Sequence, residues 1–471
     1  MSLFRFLSRG AIALGLCAIP LAAQTASLAY RNAATPPPPG WTGPVFQLVH
    51  NYPTSNPGAC DPSICKWLGN KAVNFSVNLT GPPPKWDKAW NDYIQEILDY
   101  VKEGQDPDLK NESGWHTSVD GAAKWYHVPW MAYDPTRGRE FVHGMTNERT
   151  ANLSDLTEHP EHAFGMNALL MLPTDRAKPQ CNQHQFETWA FGIYNPWGAW
   201  SIGQGWAQSG DPHIVTAGGI AQPAGLPFPQ GTVVAKLLFT TATPDCVAYL
   251  KGSPVWQSDR HVEKDGKFYC DRTVQDVRLV QLDVAVVDNR SPTRWVFGTF
   301  GYVDDAHNPK CRTGHCKTFW DRLAPVGLQW GSDPWTFPAV PRADGIPARQ
   351  SVLNLNTGAP QHFGCNGRLA GPVDNKLSSC LSCHGGGFAA QPAAVGVPTP
   401  PIFGFPDLCS IFSSANQQYF NDIQFPLGYT GGQYPGLLNL DTSLQLQVAF
   451  VEYAQYKQAG QPRACQNPSG N

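Results

Sequence analysis

Four stretches between residues 198 and 303 decide the fold class: GAWSIGQGWA (198–207), GTVVAKLLFTT (231–241), VRLVQLDVAVVD (277–288) and RWVFGTFGYV (294–303). They are short and apolar, and Gly, Pro, Asn or Asp residues separate them. Runs of this kind are typical of strands joined by turns. The sequence therefore predicts a β-rich (α+β) domain, built as a sandwich or as a strongly twisted antiparallel sheet.

The whole chain, of which these stretches are one part, is long enough for several domains. It has 471 residues, and one domain usually takes roughly 150 to 200. The β pattern stops at the turn-rich segment SDPWTFPAVPRADGIPARQS (332–351). We expect a signal peptide (1–23), a Pro-rich linker (24–40), a β-rich N-terminal domain of unknown role (41–340) and a separate C-terminal domain (350–471).

Two helices are predicted, one before the β-rich stretches and one near the C-terminus. Between Trp86 and Val101 the apolar residues recur at helical spacing. Near the C-terminus, LDTSLQLQVAFVEYAQYKQAG (440–460) offers Asp441 or Thr442 as N-cap and Gly460 as a stop.

Composition limits the possible partners. Hydrophobic residues make up 42% of the chain and charged residues 15%, and the net charge is −3. This balance gives no general electrostatic reason to bind nucleic acid. After the N-terminal run no stretch approaches the roughly 20 apolar residues of a membrane helix. We therefore expect no nucleic acid partner and no transmembrane segment.

The N-terminus predicts export. Arg5 and Arg9 precede the apolar run AIALGLCAIPLAA, and small and polar residues follow around Ala23 to Ala29. This order is typical of a secretory signal peptide. A lipid anchor at Cys17 is the alternative, although Leu16 stands where a small residue is usual. The periplasm is the expected location, with a secreted or outer-surface protein as the alternative.

Cysteine parity predicts disulfides. Ten cysteines outside the signal peptide and outside the motif discussed next are an even number in an exported chain. The closest pairs in sequence are Cys60 with Cys65 and Cys311 with Cys316. CRTGHC (311–316) also permits a zinc half-site, but no second half follows. A bridge between Cys181 and Cys465 would join the two domains.

The motif that carries chemistry is SSCLSCHGGG (378–387), in which Cys380, Cys383 and His384 form CxxCH. This spacing is that of c-type haem attachment: two thiols can bond to the porphyrin edge while the adjacent imidazole binds iron. The glycines after His384 let the backbone lie close to the porphyrin. A Cys380–Cys383 disulfide with an incidental histidine is the alternative.

On these residues the chain resembles bacterial c-type cytochromes. The resemblance covers roughly residues 350 to 465, with SSCLSCHG as the attachment segment and LQVAFVEY within the closing helix. It implies a small, mainly α-helical cytochrome c-like haem domain with one covalent haem c. It also implies that Cys380 and Cys383 form the thioethers and that His384 is the proximal iron ligand.

The distal ligand departs from that family. Small cytochromes c use a methionine after the motif, yet this chain has no Met and no His beyond His384. The sixth position is then filled from the N-terminal domain, by Tyr, Asn, Lys or water, or is open to a small ligand. The first candidates come from WYHVPWM and REFVHGM, and they are His127, Met131, His143 and Met145.

The other motifs are weaker evidence for a function. HPEH (159–162) contains two histidines, but Pro160 argues against a helix and favours a solvated loop. The aromatic stretches WYHVPW and ETWAFGIYNPWGAW are expected to pack in the core, with a carbohydrate or aromatic-ligand platform as the alternative. The sequence holds no GxSxG, no P-loop and no GxGxxG that opens a helix after a strand, so it supports neither a serine hydrolase, an NTPase nor a dinucleotide-binding enzyme.

The sequence thus predicts a one-electron carrier of the cell envelope, which exchanges electrons with a redox protein or a small-molecule donor or acceptor. One alternative is a haem-linked oxidoreductase or peroxidase-type enzyme with its substrate site in the N-terminal domain. Another is an extracellular binding module that carries a redox haem. The residues do not decide whether a substrate is turned over, and they leave the oligomeric state open.

Overall fold

The structure is a computed structural model. It describes residues 29–30, 37–46, 48–131, 143–151, 181, 186–213, 226–265, 267–334, 348–359, 362–364, 367–374, 379–385, 387–390, 422 and 437–458. The expected signal peptide, the HPEH motif, the stop residue Gly460 and Cys465 lie outside these residues.

An antiparallel sheet of eight strands forms the centre of the described fold. Its strands are β3 (Thr146–Ala151), β4 (Phe186–Tyr194), β5 (Val233–Thr240), β6 (Val255–Lys264), β7 (Lys267–Val287), β8 (Trp295–Tyr302), β9 (Leu323–Gln329) and β10 (Ser351–Leu353). They lie in the order β10-β9-β8-β7-β5-β4-β3, and β6 pairs with β7 outside this path. Because β7 is 21 residues long, its first part pairs with β6 and its second part with β5.

Two small antiparallel sheets of two strands each and five helices complete the described elements. One sheet pairs β1 (Ser118–Val119) with β2 (Ala122–Ala123), and the other pairs β11 (Phe388–Ala390) with β12 (Leu437–Asn439). The helices are α1 (Lys88–Lys102), α2 (Pro196–Gly205), α3 (Pro309–Arg312), α4 (Cys380–His384) and α5 (Leu444–Gln458), with short 3-10 turns between several elements. No helix in the described residues is long and apolar enough to cross a membrane.

The β-rich prediction is confirmed for three of the four stretches, which form β5, the second part of β7, and β8. The prediction of a strand at 198–207 is wrong, because most of this stretch lies in the helix α2. Asn195 caps this helix by accepting a hydrogen bond from the amide of Gly198 at 3.2 Å, and Pro196 occupies the first turn. Asparagine followed by proline is a strong helix start, and here it overrides the strand-like apolar pattern.

Both predicted helices are present. Helix α1 begins after Asp87, whose carboxylate accepts from the amides of Ala89 and Trp90. Helix α5 begins at Leu444, where Ser443 Oγ accepts a hydrogen bond from the amide of Leu446. The prediction that Asp441 or Thr442 caps this helix is therefore wrong. Both of those residues have positive φ and form the turn before the helix.

One face of the sheet, here called the core face, carries the main hydrophobic core. Phe191, Leu237 and Val284 lie on it, and they pack with Tyr93 and Ile94 of α1. Successive residues of a strand point to opposite faces, so their neighbours form the other face. A fully buried apolar side chain of this kind contributes about 1.5 to 3 kcal/mol.

The other face, here called the motif face, carries the CxxCH segment. A second hydrophobic cluster joins Phe297 and Ala285 of the sheet to Leu381 of α4, Leu440, and Leu446 of α5. The amide of Leu381 also donates to the side chain of Gln329 at 2.9 Å. The C-terminal elements therefore pack directly on the sheet.

The described disulfides confirm both short-range pairings. Cys60 is bonded to Cys65, and Cys311 to Cys316. The second bond rules out a zinc half-site at 311–316 in this structure. The bridge considered between Cys181 and Cys465 is not formed, because Cys181 is bonded to Cys246.

Candidate functional site

The CxxCH residues form one short turn of helix. The amide of Cys380 donates to the carbonyl of Leu369 at 3.2 Å, and the amide of Cys383 donates to the carbonyl of Ser379 at 3.2 Å. Helical spacing places residues three and four apart on the same side. Cys380, Cys383 and His384 are therefore brought to one side of α4.

The two motif cysteines are not joined by a disulfide. Six other described cysteines are paired, so the motif differs from them. Burial, reinforced by the charges of Asp374 and Asp283, raises the pKa of the Cys380 thiol well above its ordinary value. Reactive cysteines of CxxC redox proteins have a lowered pKa, so a protonated Cys380 argues against a thiol–disulfide exchange site.

His384 is held as a neutral imidazole. Its Nδ1 lies 3.0 Å from the main-chain carbonyl oxygen of Thr442, which accepts the Nδ1–H. Its ring lies 4.7 Å from that of Phe297, centroid to centroid. Burial lowers the pKa of His384 to about 4. With its proton on Nδ1, the lone pair of Nε2 is the one suited to a metal.

The motif side chains are neither fully exposed nor fully enclosed. Cys380, Cys383 and His384 keep partly accessible side chains. Desolvation nevertheless dominates the shifted pKa values of Cys380 and His384, so protein atoms surround them densely.

A row of polar side chains crosses the motif face beside α4. Lys236 of β5 pairs in register with Asp283 of β7, which pairs in register with Thr299 of β8. Thr299 Oγ1 donates to Asp283 at 2.8 Å. The side-chain amide of Gln281 donates to Asp283 at 2.8 Å and to Asp374 at 3.4 Å, which brings the two carboxyl groups close together. Burial and the Asp374 charge raise the pKa of Asp283.

Lys236 balances part of this charge. Its Nζ lies 3.2 Å from Oε2 of Glu148 on β3. Burial alone would lower the pKa of Lys236, but the nearby carboxylates of Glu148 and Asp283 outweigh it and raise the pKa. The motif thus has charged and proton-binding groups beside it, a feature that sequence reasoning missed because these residues lie far apart in the chain.

The four distal-ligand candidates lie in different places. The ring of His127 contacts Phe191 of the core face at 5.5 Å, and His143 Nε2 lies 3.0 Å from Asp259 Oδ2 on β6. Met145 is buried in the core-face cluster, whereas Met131 packs against the motif-face cluster that contains Leu381. The described contacts bring none of the four to His384.

The site residues suit a covalently attached haem. Two unbridged thiols and a neutral imidazole lie on one side of a turn, and the second ring nitrogen of the imidazole is fixed by a carbonyl. Among the described residues, no group of three or more His, Cys, Asp or Glu side chains could hold a bare metal ion. Haem needs only one or two ligands from the protein, because the porphyrin supplies the others.

Comparison with known proteins gave no relative, since no family model, no curated protein and no solved structure matches the chain. The functional conclusion therefore rests on the motif and its surroundings.

Proposed function

We propose that this protein is a c-type cytochrome with one covalent haem c, and that it transfers single electrons in the cell envelope. The observation that carries the proposal is the state of the CxxCH turn. Cys380 and Cys383 are unbridged, and His384 is neutral, with its Nδ1–H given to the Thr442 carbonyl. The haem-bearing part would be the C-terminal segment, of which the described residues Leu381, Leu440 and Leu446 pack on the motif face.

Each residue of the turn has a separate task. Cys380 and Cys383 would hold the haem through thioethers, and His384 Nε2 would bind its iron. The haem supplies a one-electron couple when it is bound. Phe297 packs against the His384 ring and restricts its rotation, and the Thr442 carbonyl keeps the proton on Nδ1. The chain thereby holds one tautomer and one orientation of the imidazole.

Export to the periplasm is part of the proposal. The N-terminal pattern predicts a signal peptide, and the bonds Cys60–Cys65, Cys181–Cys246 and Cys311–Cys316 are those expected in an oxidising compartment.

The test is the absorption spectrum of the alkaline pyridine complex of the full chain, expressed in a host that attaches haem c. We expect one haem per chain in the wild type. Cys380→Ala with Cys383→Ala should abolish attachment, and His384→Ala should change the spectrum. The matched control is the loop 311–316, which also has two cysteines and a histidine: Cys311→Ala with Cys316→Ala, and His315→Ala, should retain the haem. A wild-type chain without haem would refute the proposal.

One observation favours a second function, a haem-linked oxidoreductase or peroxidase-type enzyme. The carboxyl pair of Asp283 and Asp374 lies beside Cys380, and a carboxyl group with a raised pKa can deliver or accept protons near neutral pH. Carbon monoxide binding to the ferrous protein distinguishes the two. Exclusion of the gas supports electron transfer by an iron with both axial positions filled, and rapid binding supports chemistry at an open position.

A further inference from the structure

The turn that presents the Thr442 carbonyl to His384 has an unusual backbone. Asp441 has φ +49° and Thr442 has φ +67°. Positive φ is rare outside glycine, and for a β-branched residue such as threonine it is a genuine outlier. A conformation of this kind is strained and persists only where the surroundings hold it in place.

The carboxylate of Asp441 is what holds the turn. It is buried and accepts three hydrogen bonds: from the amide of Phe228 at 2.8 Å, from Nη1 of Arg294 at 3.1 Å and from Nε1 of Trp295 at 3.1 Å. Together these donors fix the carboxylate from the loop before β5 and from the start of β8. Asp441 is therefore anchored to the sheet rather than only to its neighbours in sequence.

The residues on both sides of the turn are also fixed. Ser443 Oγ lies 2.7 Å from the hydroxyl of Tyr194 on β4. The amide of Leu440 donates to the carbonyl of Gly387 at 2.8 Å, just after the CxxCH motif. Strand β8 carries both Trp295, which holds Asp441, and Phe297, which packs on His384. One strand thus positions both the imidazole ring and the turn that accepts its proton.

We propose that Asp441 is a positioning residue for the axial histidine: by holding the strained turn 441–442, it keeps the Thr442 carbonyl on the Nδ1–H of His384. That hydrogen bond gives the imidazole more electron density to donate to iron, which stabilises the ferric state and lowers the midpoint potential. This inference rests on the proposed haem attachment through His384.

The test compares Asp441→Asn with a matched control. Asparagine tolerates positive φ, so the variant can still fold, while the charge that pairs with Arg294 is lost and the turn 441–442 is held less firmly. We expect the midpoint potential to rise, with the ferrous to ferric ratio at a fixed ambient potential increasing by up to about tenfold, or about 59 mV for one electron. The control is Asp288→Asn, another buried aspartate with an arginine partner, next to α1; its potential should equal that of the wild type.

A second variant keeps the inference testable if Asp441→Asn does not fold. Trp295→Phe removes one of the three donors to Asp441 and retains a ring beside Phe297. We expect a smaller rise in the potential in the same direction. If a folded, haem-loaded variant of either kind keeps the wild-type potential, Asp441 is not a positioning residue.

The haem-free chain separates this inference from the proposed function. In the variant with Cys380→Ala and Cys383→Ala, nitrogen NMR of His384 should show the Nδ1–H tautomer, and adding Asp441→Asn should reduce its population. Absence of haem from the wild type would refute the proposed function alone. An unchanged tautomer population would refute the positioning role alone.

Discussion

The imidazole of His384 and the main-chain carbonyl of Thr442 are 58 residues apart in sequence and 3.0 Å apart in the structure. Gly387 explains why the two segments can approach. A Cβ atom on Gly387 would lie 2.8 Å from the carbonyl carbon of Thr442, closer than real Cβ contacts occur. The glycine after the motif thus admits another part of the chain, in addition to the closeness to a porphyrin that the sequence led us to expect.

Replacing Gly387 with alanine should therefore destabilise the fold at the motif. We expect a loss of about 1 to 3 kcal/mol in the free energy of unfolding, because main-chain atoms of Thr442 and Ser443 must move. Urea denaturation measures the loss. Gly69→Ala is the control, because its Cβ would meet only Pro62 at an ordinary 3.6 Å, and we expect a change within about 0.5 kcal/mol. Equal stabilities for the two variants would contradict the close approach.

The disulfides should differ in their contribution to stability. Cys181 and Cys246 are 65 residues apart, whereas Cys60 and Cys65 are separated by 5. Closing the longer loop restricts the unfolded chain more, so we expect paired serine replacements to cost about 4 kcal/mol for the long bridge and about 2 kcal/mol for the short one. Thermal or urea unfolding of the two double variants gives the comparison. A larger loss from the short bridge would be inconsistent with this account.

Glu112 should make stability depend on pH. It is fully buried beside Gly43, and burial, only partly offset by the nearby main chain of Gln257, raises its pKa to about 9. The folded state binds this proton more tightly than the unfolded state does. The stability that this tighter proton binding adds to the fold is therefore complete below about pH 4.5 and is lost as the pH rises to about 9. Over this range the free energy of unfolding falls by at most about 1.4 kcal/mol per pH unit.

The free energy of unfolding, measured between pH 5 and pH 9, should thus fall less steeply in Glu112→Gln than in the wild type. Asp108→Asn is the control, because this side chain is 65% exposed. Parallel curves for Glu112→Gln and the wild type would show that Glu112 is ionised in the fold.

His127 and His143 should not supply the distal ligand. Their rings contact Phe191 on the core face and Asp259 on β6, whereas His384 lies on the motif face. We expect His127→Leu and His143→Gln to keep the wild-type haem spectrum and carbon monoxide binding, with a loss of stability of about 1 to 3 kcal/mol. Among the four candidates, Met131 is the one whose replacement by leucine can alter gas binding. A shifted spectrum in either folded histidine variant would contradict this assignment.

The sequence predicts the elements whose signals are local. Strands β5 and β8 show apolar residues bounded by turn residues, and α1 shows apolar residues at helical spacing. The stretch 198–207 misleads because its apolar residues suggest a strand, while the decisive signal, Asn195 followed by Pro196, stands just before it. A single capping pair carries little weight in a pattern read over ten residues.

The same distinction applies to the candidate site. Cys380, Cys383 and His384 are adjacent in sequence, so the residue types alone reveal them. Thr442 contributes only its main-chain carbonyl, which every residue has, and therefore leaves no signal. Asp441 suggested a helix cap, because a short acidic side chain before a helix is usually one. Its partners Phe228 and Trp295 come from distant segments, which only the folded chain brings together.

The central claim is that haem is covalently bound through the CxxCH turn, and extraction tests it most directly. The purified full chain is denatured in acid and shaken with an organic solvent. We predict that the haem colour stays with the polypeptide, and that the intact chain has the mass of the apoprotein plus one haem. In the Cys380→Ala and Cys383→Ala double variant any haem should pass into the solvent. Haem that leaves the wild-type chain under the same treatment would contradict the account.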